Sequence, residues 1–267
     1  MYRRILIPIN EPSAVEPLIR FAAQLLDPDG EIRLLHVIPT TTLPEVTRQW
    51  RASVNLVVPA HEAGAALDIR VDPEVRASRD VPGEILESAE THSVDAIVLT
   101  LRGDRRGRNP FVGHTASALL HHATADVIVV NRLGLVEEKV PRILIPTFSG
   151  NPPSKALQIA EEVALRNKGV PIVTISIAAR GEESVDGEPP VRSPRGVPLR
   201  RRHALFSESL LGRRKLPELI LREAAKERYG LLLVGEEASP AEGPLLTRRF
   251  LEELFRAAPC PVVAVRG

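Results

Sequence analysis

Arg4-Ile5-Leu6-Ile7-Pro8 opens the chain, and Arg142-Ile143-Leu144-Ile145-Pro146 repeats it half a length later. A short apolar run that stops at a proline is the pattern of a strand buried on both faces of a parallel sheet. A second pair closes each half. Ala123-Thr124-Ala125-Asp126-Val127-Ile128-Val129-Val130 returns, more loosely, as Ala258-Pro259-Cys260-Pro261-Val262-Val263-Ala264-Val265. Two halves of about 135 residues, each with its own opening and closing strand, read as a duplicated domain.

Between these bookends the first half alternates strand and helix. Strands are expected at residues 5–9, 32–38, 69–77, 95–99 and 127–130. Pro73 places the third at a sheet edge. A helix capped by Ser13 carries Val15, Leu18, Ile19, Ala22 and Leu25 at helical spacing and stops at Asp27-Pro28-Asp29-Gly30. Further helices are expected over 44–66, interrupted near Pro59, over 81–92 and over 115–122. Strict alternation predicts an open parallel sheet with helices on both faces. The polar stretch 131–141 reads as a linker. The second half repeats the plan with strands at 143–147, 171–178, 231–234 and 262–265, and helices at 153–166, 216–228 and 246–257. Its middle, about 180–214, is rich in Pro, Gly, Ser and Arg and has no sustained period. It stands where the second helix and third strand belong and reads as a mobile basic insertion. The expected fold is therefore α/β, with two tandem open parallel five-stranded sheets, in domains 1–132 and 140–267.

Composition narrows the function. With 267 residues, 43% hydrophobic and 26% charged, the chain has enough apolar material for two modest cores. A net charge of +1 gives no global pull toward nucleic acid, and aromatics at 3% are too few for a base-stacking platform. One cysteine, Cys260, rules out an intrachain disulfide. The start of the sequence lacks a signal-peptide pattern, and no apolar run approaches the ~20 residues of a bilayer span. The expectation is a cytoplasmic protein without a transmembrane segment. No Walker motif, nucleophile–base pair or metal-ligand spacing is visible, so catalysis is not expected, although slow ATP hydrolysis stays open.

In an open α/β sheet, ligands sit beyond the carboxyl ends of the strands, where strand order reverses. Three segments should meet there: Pro8-Ile9-Asn10, His36-Val37-Ile38, and the loop after the fourth strand, from Thr100 to Thr115. That loop carries Gly103 and Gly113 with Arg102, Arg105, Arg106 and Arg108, and leads into a helix start. Glycine lets backbone N–H groups approach a phosphate, and the helix start adds unpaired donors and a favourable dipole.

These residues carry a resemblance. Leu35-His36-Val37, the Thr100-x2-Gly103-x9-Gly113-His114 frame and the closing stretches His122–Val127 and Ala258–Val262 resemble the universal stress protein family. Its ATP-binding members carry Gly-x2-Gly-x9-Gly-[Ser/Thr] in that frame. The resemblance implies the adenine nucleotide α-hydrolase-like fold. It implies a site of Pro8, Ile9, Asn10, Val37, Thr100, Gly103, Gly113, His114 and Thr115 for ATP or AMP, with Mg²⁺. Two of the three glycines stand at the family spacing. Thr100 replaces the first, His114 the final Ser/Thr, and Asn10 the family's Asp. In the second half Phe148 replaces Asn10, and the frame reads Gly235, Ala238, Arg248 and Arg249. By resemblance that copy does not hold ATP in the family manner and serves as a dimer-like partner, pairing through Val127–Val130 and Val262–Val265. A homodimer of the whole chain is open as well. An alternative reading makes the protein a nucleotide-free interaction module, with Arg200-Arg201-Arg202 and Arg213-Arg214-Lys215 of the insertion docking a protein partner or an anionic surface.

Overall fold

Ile5, Leu6 and Ile7 are fully buried, as a central strand of a covered parallel sheet requires. The computed structural model describes residues 1–101, 113–130, 140–147, 151–179, 191–206, 216–236 and 246–266. By internal contacts the chain divides into two units, the first built from the described residues up to Val130 and the second from those after it.

In the first unit, β1 (Tyr2–Pro8) lies between β2 (Leu26–Ile38) and β4 (Ala96–Thr100). β3 (Arg70–Ala77) pairs with β2, and β5 (Asp126–Val130) with β4. The order is β3-β2-β1-β4-β5, all parallel, so strand order reverses between β1 and β4. β3 is the edge strand that Pro73 required. The first helix differs from expectation. A 3₁₀ turn (Pro12–Ala14) precedes α1 (Val15–Ala23), and the Ser13 side chain caps neither. Asp27–Gly30 does not break a helix but lies inside β2, where the register against β1 slips between the Tyr2 and Arg4 pairings. These turn-forming residues make an irregularity in the strand.

The break between α2 (Leu43–Ala52) and α3 (Val54–Leu67) falls at Ser53, not at Pro59. The Ser53 hydroxyl donates to the Gln49 carbonyl at 3.0 Å, and such back-bonding competes with the helical ladder. Pro59 stays inside α3. It leaves the Asn55 carbonyl without its helical donor, and Asn55 is exposed, so water answers it. α4 (Val81–Thr91) starts on Asp80, whose carboxylate accepts from the Gly83 amide at 3.1 Å. α5 (His114–His122) connects β4 to β5.

The second unit uses β6 (Ile143–Thr147) as its central strand, with β10 (Leu231–Gly235) on one side and β7 (Ile172–Ala179) on the other. β11 (Val262–Arg266) pairs with β10. α6 (Ser154–Arg166), α7 (Leu216–Lys226) and α8 (Arg248–Ala257) complete it. The insertion reading is corrected in its middle. β9 (Pro198–Phe206) runs parallel to β7 over eight residue pairs and supplies the third strand, and β8 (Val191–Arg192) folds back on it antiparallel. Among the described residues the unit thus has six strands in the order β11-β10-β6-β7-β9-β8, rather than five parallel ones. Without β8, it repeats the first unit's strand order. The flanks 180–190 and 207–215 lie outside the described residues, as does 131–139 of the linker.

Candidate functional site

The crest of the first unit is built from strand ends. The Ile9 amide donates to the Leu35 carbonyl at 2.9 Å, and the His36 Nδ1–H donates to the Ile9 carbonyl at 2.9 Å. His36 therefore pins the end of β1 against β2, and this bond fixes its tautomer. Pro8 pairs with Leu35, and the register carries Asn10 to the level of Val37. Ile9 and Val37 bury their side chains and offer only backbone groups at the crest, whereas Asn10 is exposed. Thr100 ends β4 opposite Val130, on the other side of the reversal point. Its hydroxyl donates to the Leu101 carbonyl at 3.3 Å.

The β4-to-β5 connection brings the chain back over the sheet through α5, so the start of that helix lies at the crest. Gly113 is its N-cap, with extended backbone (φ −67°, ψ 173°) and no side-chain cap. Glycine has no side chain to fold back on the first turn, so the amides there keep their donors for another acceptor. His114 is exposed and Thr115 half-buried beside it. The structure thus gathers Pro8, Ile9, Asn10, Val37, Thr100, Gly113, His114 and Thr115 at one end of one sheet. Gly103 and the arginines of its loop lie outside the described residues.

The same end of the second unit differs at two points. The surviving frame glycine, Gly235, packs against α6. A Cβ placed on it would meet Pro153 Cβ at 2.6 Å and Ala156 Cβ at 3.0 Å. The glycine is there for helix-to-strand packing, and Pro153 occupies the space over it. The helix after β10 caps itself: the Thr247 hydroxyl accepts from the Phe250 amide at 3.4 Å. Arg248 and Arg249 begin that helix. Phe148 and Ala238 lie outside the described residues. Nothing in the sequence pointed to Pro153, which is contiguous with the crest only once α6 is folded. The Thr247 cap was legible as a threonine three residues before the apolar Phe250.

The opposite strand ends of the two units are held differently. In the first unit the buried Tyr2 hydroxyl donates to Asp126 Oδ2 at 2.8 Å, and Asp95 accepts from the Arg3 and Arg4 amides at 2.7 and 2.8 Å. Burial, then the charge of Asp126 and the hydrogen bond to it, push the Tyr2 phenol far above its ordinary value. In the second unit Glu227 takes Arg142 at 2.5 Å and Arg202 at 2.6 Å. Burial pushes that carboxyl up, but the two guanidiniums outweigh it and hold it below the usual carboxylate range. The arginines of the described part of the insertion are largely engaged within the unit. Arg195 is bound to Glu162, Arg202 to Glu227, and Arg192 donates to the Gly196 carbonyl at 2.7 Å. Arg200 and Arg201 remain exposed.

The first unit is thus an open parallel α/β sheet whose strand order reverses beside a helix start without a side-chain cap, the place where folds of this class receive ligands. Residues 1–131 match the family model of the universal stress protein family. No curated protein matches the chain. Among solved structures, a universal stress protein from Archaeoglobus fulgidus DSM 4304 is similar over 98% of this chain and 97% of its own, at TM-score 0.71 and 16% identity. A putative universal stress protein from Pseudomonas aeruginosa UCBPP-PA14 is similar over 99% and 93%, at 0.59 and 14%. The cytoplasmic domain of a prokaryotic cation chloride cotransporter is similar over 99% and 95%, at 0.58 and 11%. At these identities the likeness speaks for the fold. No helix among the described residues is long and apolar enough to cross a membrane.

Proposed function

We propose that the first unit binds an adenine nucleotide, ATP or AMP, and that the protein works as a cytoplasmic regulatory module of the stress response. The observation that carries this reading is the uncapped start of α5 at Gly113, on the crest where β1 and β4 diverge, within the span that matches the family. Backbone groups around Pro8, Ile9 and Val37 would receive the adenine, as the family resemblance implies, and the exposed Asn10 would face the ribose. Gly103, Gly113, His114 and Thr115 would hold the phosphates, with Thr100 bounding the pocket. Mg²⁺ would arrive on the phosphates, since no cluster of three or more His, Cys, Asp or Glu among the described residues is placed to hold a metal. The second unit would not bind nucleotide and would serve the first as a dimer-like partner, through the closing strands.

Calorimetric titration with ATP and AMP, with and without Mg²⁺, tests the reading on the wild type and on Gly113→Asp. Aspartate is a good N-cap, so the variant should fold as well as the parent. It puts a carboxylate where a phosphate would lie, and affinity should fall by more than about tenfold. Absence of heat and of thermal shift with wild-type protein at millimolar nucleotide would refute nucleotide binding.

A further inference from the structure

The α2–α3 helix pair of the first unit carries an apolar stripe on its outer side. No residue of α2 is buried, and α3 turns Leu56, Ala60, Ala63 and Gly64 inward. On the outer side Leu43, Trp50, Val54 and Val58 are exposed by 78%, 52%, 56% and 46%. Ser53 keeps helical dihedrals (φ −64°, ψ −18°), so the two helices run nearly on from one another. Measured from Val54, Trp50 and Val58 stand four residues to either side, and Leu43 and the exposed Ala65 stand eleven. At 100° per residue all five fall within about 40° of Val54. Exposed Thr47 and His61, seven residues to either side of Val54, fall in the same sector, so five of its seven positions are apolar, and the spacing is the same read in either direction.

The charges along it are not symmetric. α2 carries Arg48 and Arg51 against one acid, Glu45; α3 carries no lysine or arginine and one acid, Glu62, with Asp68 at its C-cap. Laid antiparallel on a copy of itself, the basic half meets the acidic half at both ends. A parallel arrangement opposes like charges, and an anionic membrane would repel the Glu62–Asp68 end. We propose that two copies of this chain pair through α2–α3, antiparallel, about a two-fold axis at Val54. Such a contact is isologous: Val54 meets the Val54 of the other copy, Trp50 its Val58, and Leu43 its Ala65. This interface is independent of the nucleotide crest.

The geometry has a direct reporter, because Trp50 is the sole tryptophan of the chain. Sedimentation of the full chain should show a concentration-dependent dimer, with Trp50 emission shifting to the blue over the same range. A cysteine at Val54 lies on the proposed axis. Under mild oxidation Val54→Cys should therefore give a covalent dimer, while Leu43→Cys, which faces Ala65, should not; native Cys260 is buried. Val54→Asp sets two like charges together and should weaken the dimer more than about tenfold with unchanged helical content. Three results would overturn the proposal: a monomer at every concentration, a dimer with unshifted Trp50 emission and no Val54→Cys cross-link, or a blue shift only on adding anionic phosphatidylserine vesicles.

Discussion

The two crests of this molecule share a strand order and differ in what stands over the strand ends. In the first, β4 ends at Thr100, and the helix beyond it starts on Gly113 with no side-chain cap. In the second, β10 ends at a glycine, but Pro153 sits on that glycine, and Thr247 caps its own helix before Arg248 and Arg249. The glycine that matches the family frame is the one that α6 covers, whereas the corresponding strand of the first unit ends on a threonine, Thr100. A glycine in a phosphate-binding position shows only that a backbone approaches closely; the structure around it decides whether the neighbour is a ligand or a proline.

The comparison breaks most sharply at Gly235. Gly235→Val forces a Cβ against Pro153 and Ala156, and such overpacking costs about 1–3 kcal/mol. Chemical denaturation of the variant should show the second unit unfolding earlier, with nucleotide binding by the first unchanged. If the variant is as stable as wild type, Pro153 does not close that crest.

The opposite strand ends of the two units sharpen the contrast through pH. Tyr2 has a raised folded pKa, so its neutral form is favoured in the fold. Its contribution is complete below the unfolded tyrosine value near 10 and is lost as pH rises above it. Glu227 has a lowered folded pKa, so its contribution is present above the ordinary carboxylate range and is lost as pH falls through it. Thermal unfolding at several pH values should therefore weaken the second unit on the acid side through Glu227, and both units on the alkaline side, the first through Tyr2 and the second through Tyr229, whose phenol burial also raises. Tyr2→Phe should flatten the alkaline limb of the first unit and Glu227→Gln the acid limb of the second. If both limbs persist, the assignment of these groups is wrong. The smallest effect is expected at Thr247→Ala, which removes a cap worth about 1 kcal/mol and should lower the midpoint of the second unit alone by a few degrees.

Most of the fold was legible because apolar runs such as Ile5–Ile7 and Ile143–Ile145 have one reading in a covered parallel sheet. The misreadings came from residues whose local preference was overridden. Pro59 stayed in a helix because the carbonyl it leaves without a donor belongs to the exposed Asn55, and Ser53 interrupts the helical run through a bond to Gln49 that composition does not reveal. Asp27–Gly30 entered β2 at a slip in register. β9 was hidden because its run of three arginines masks the alternation of a strand whose charges are partly met by Glu227. At the site, the converging segments followed from strand order alone. The closure of the second crest did not, because Pro153 and Gly235 lie far apart in sequence and meet only in the fold.

Amide hydrogen exchange with and without ATP tests the asymmetry of the two crests most directly. The account predicts that nucleotide slows exchange at residues 9–10, 37 and 113–117, and leaves 147, 235–236 and 247–251 unchanged. Protection of the second set, or of neither, would contradict it.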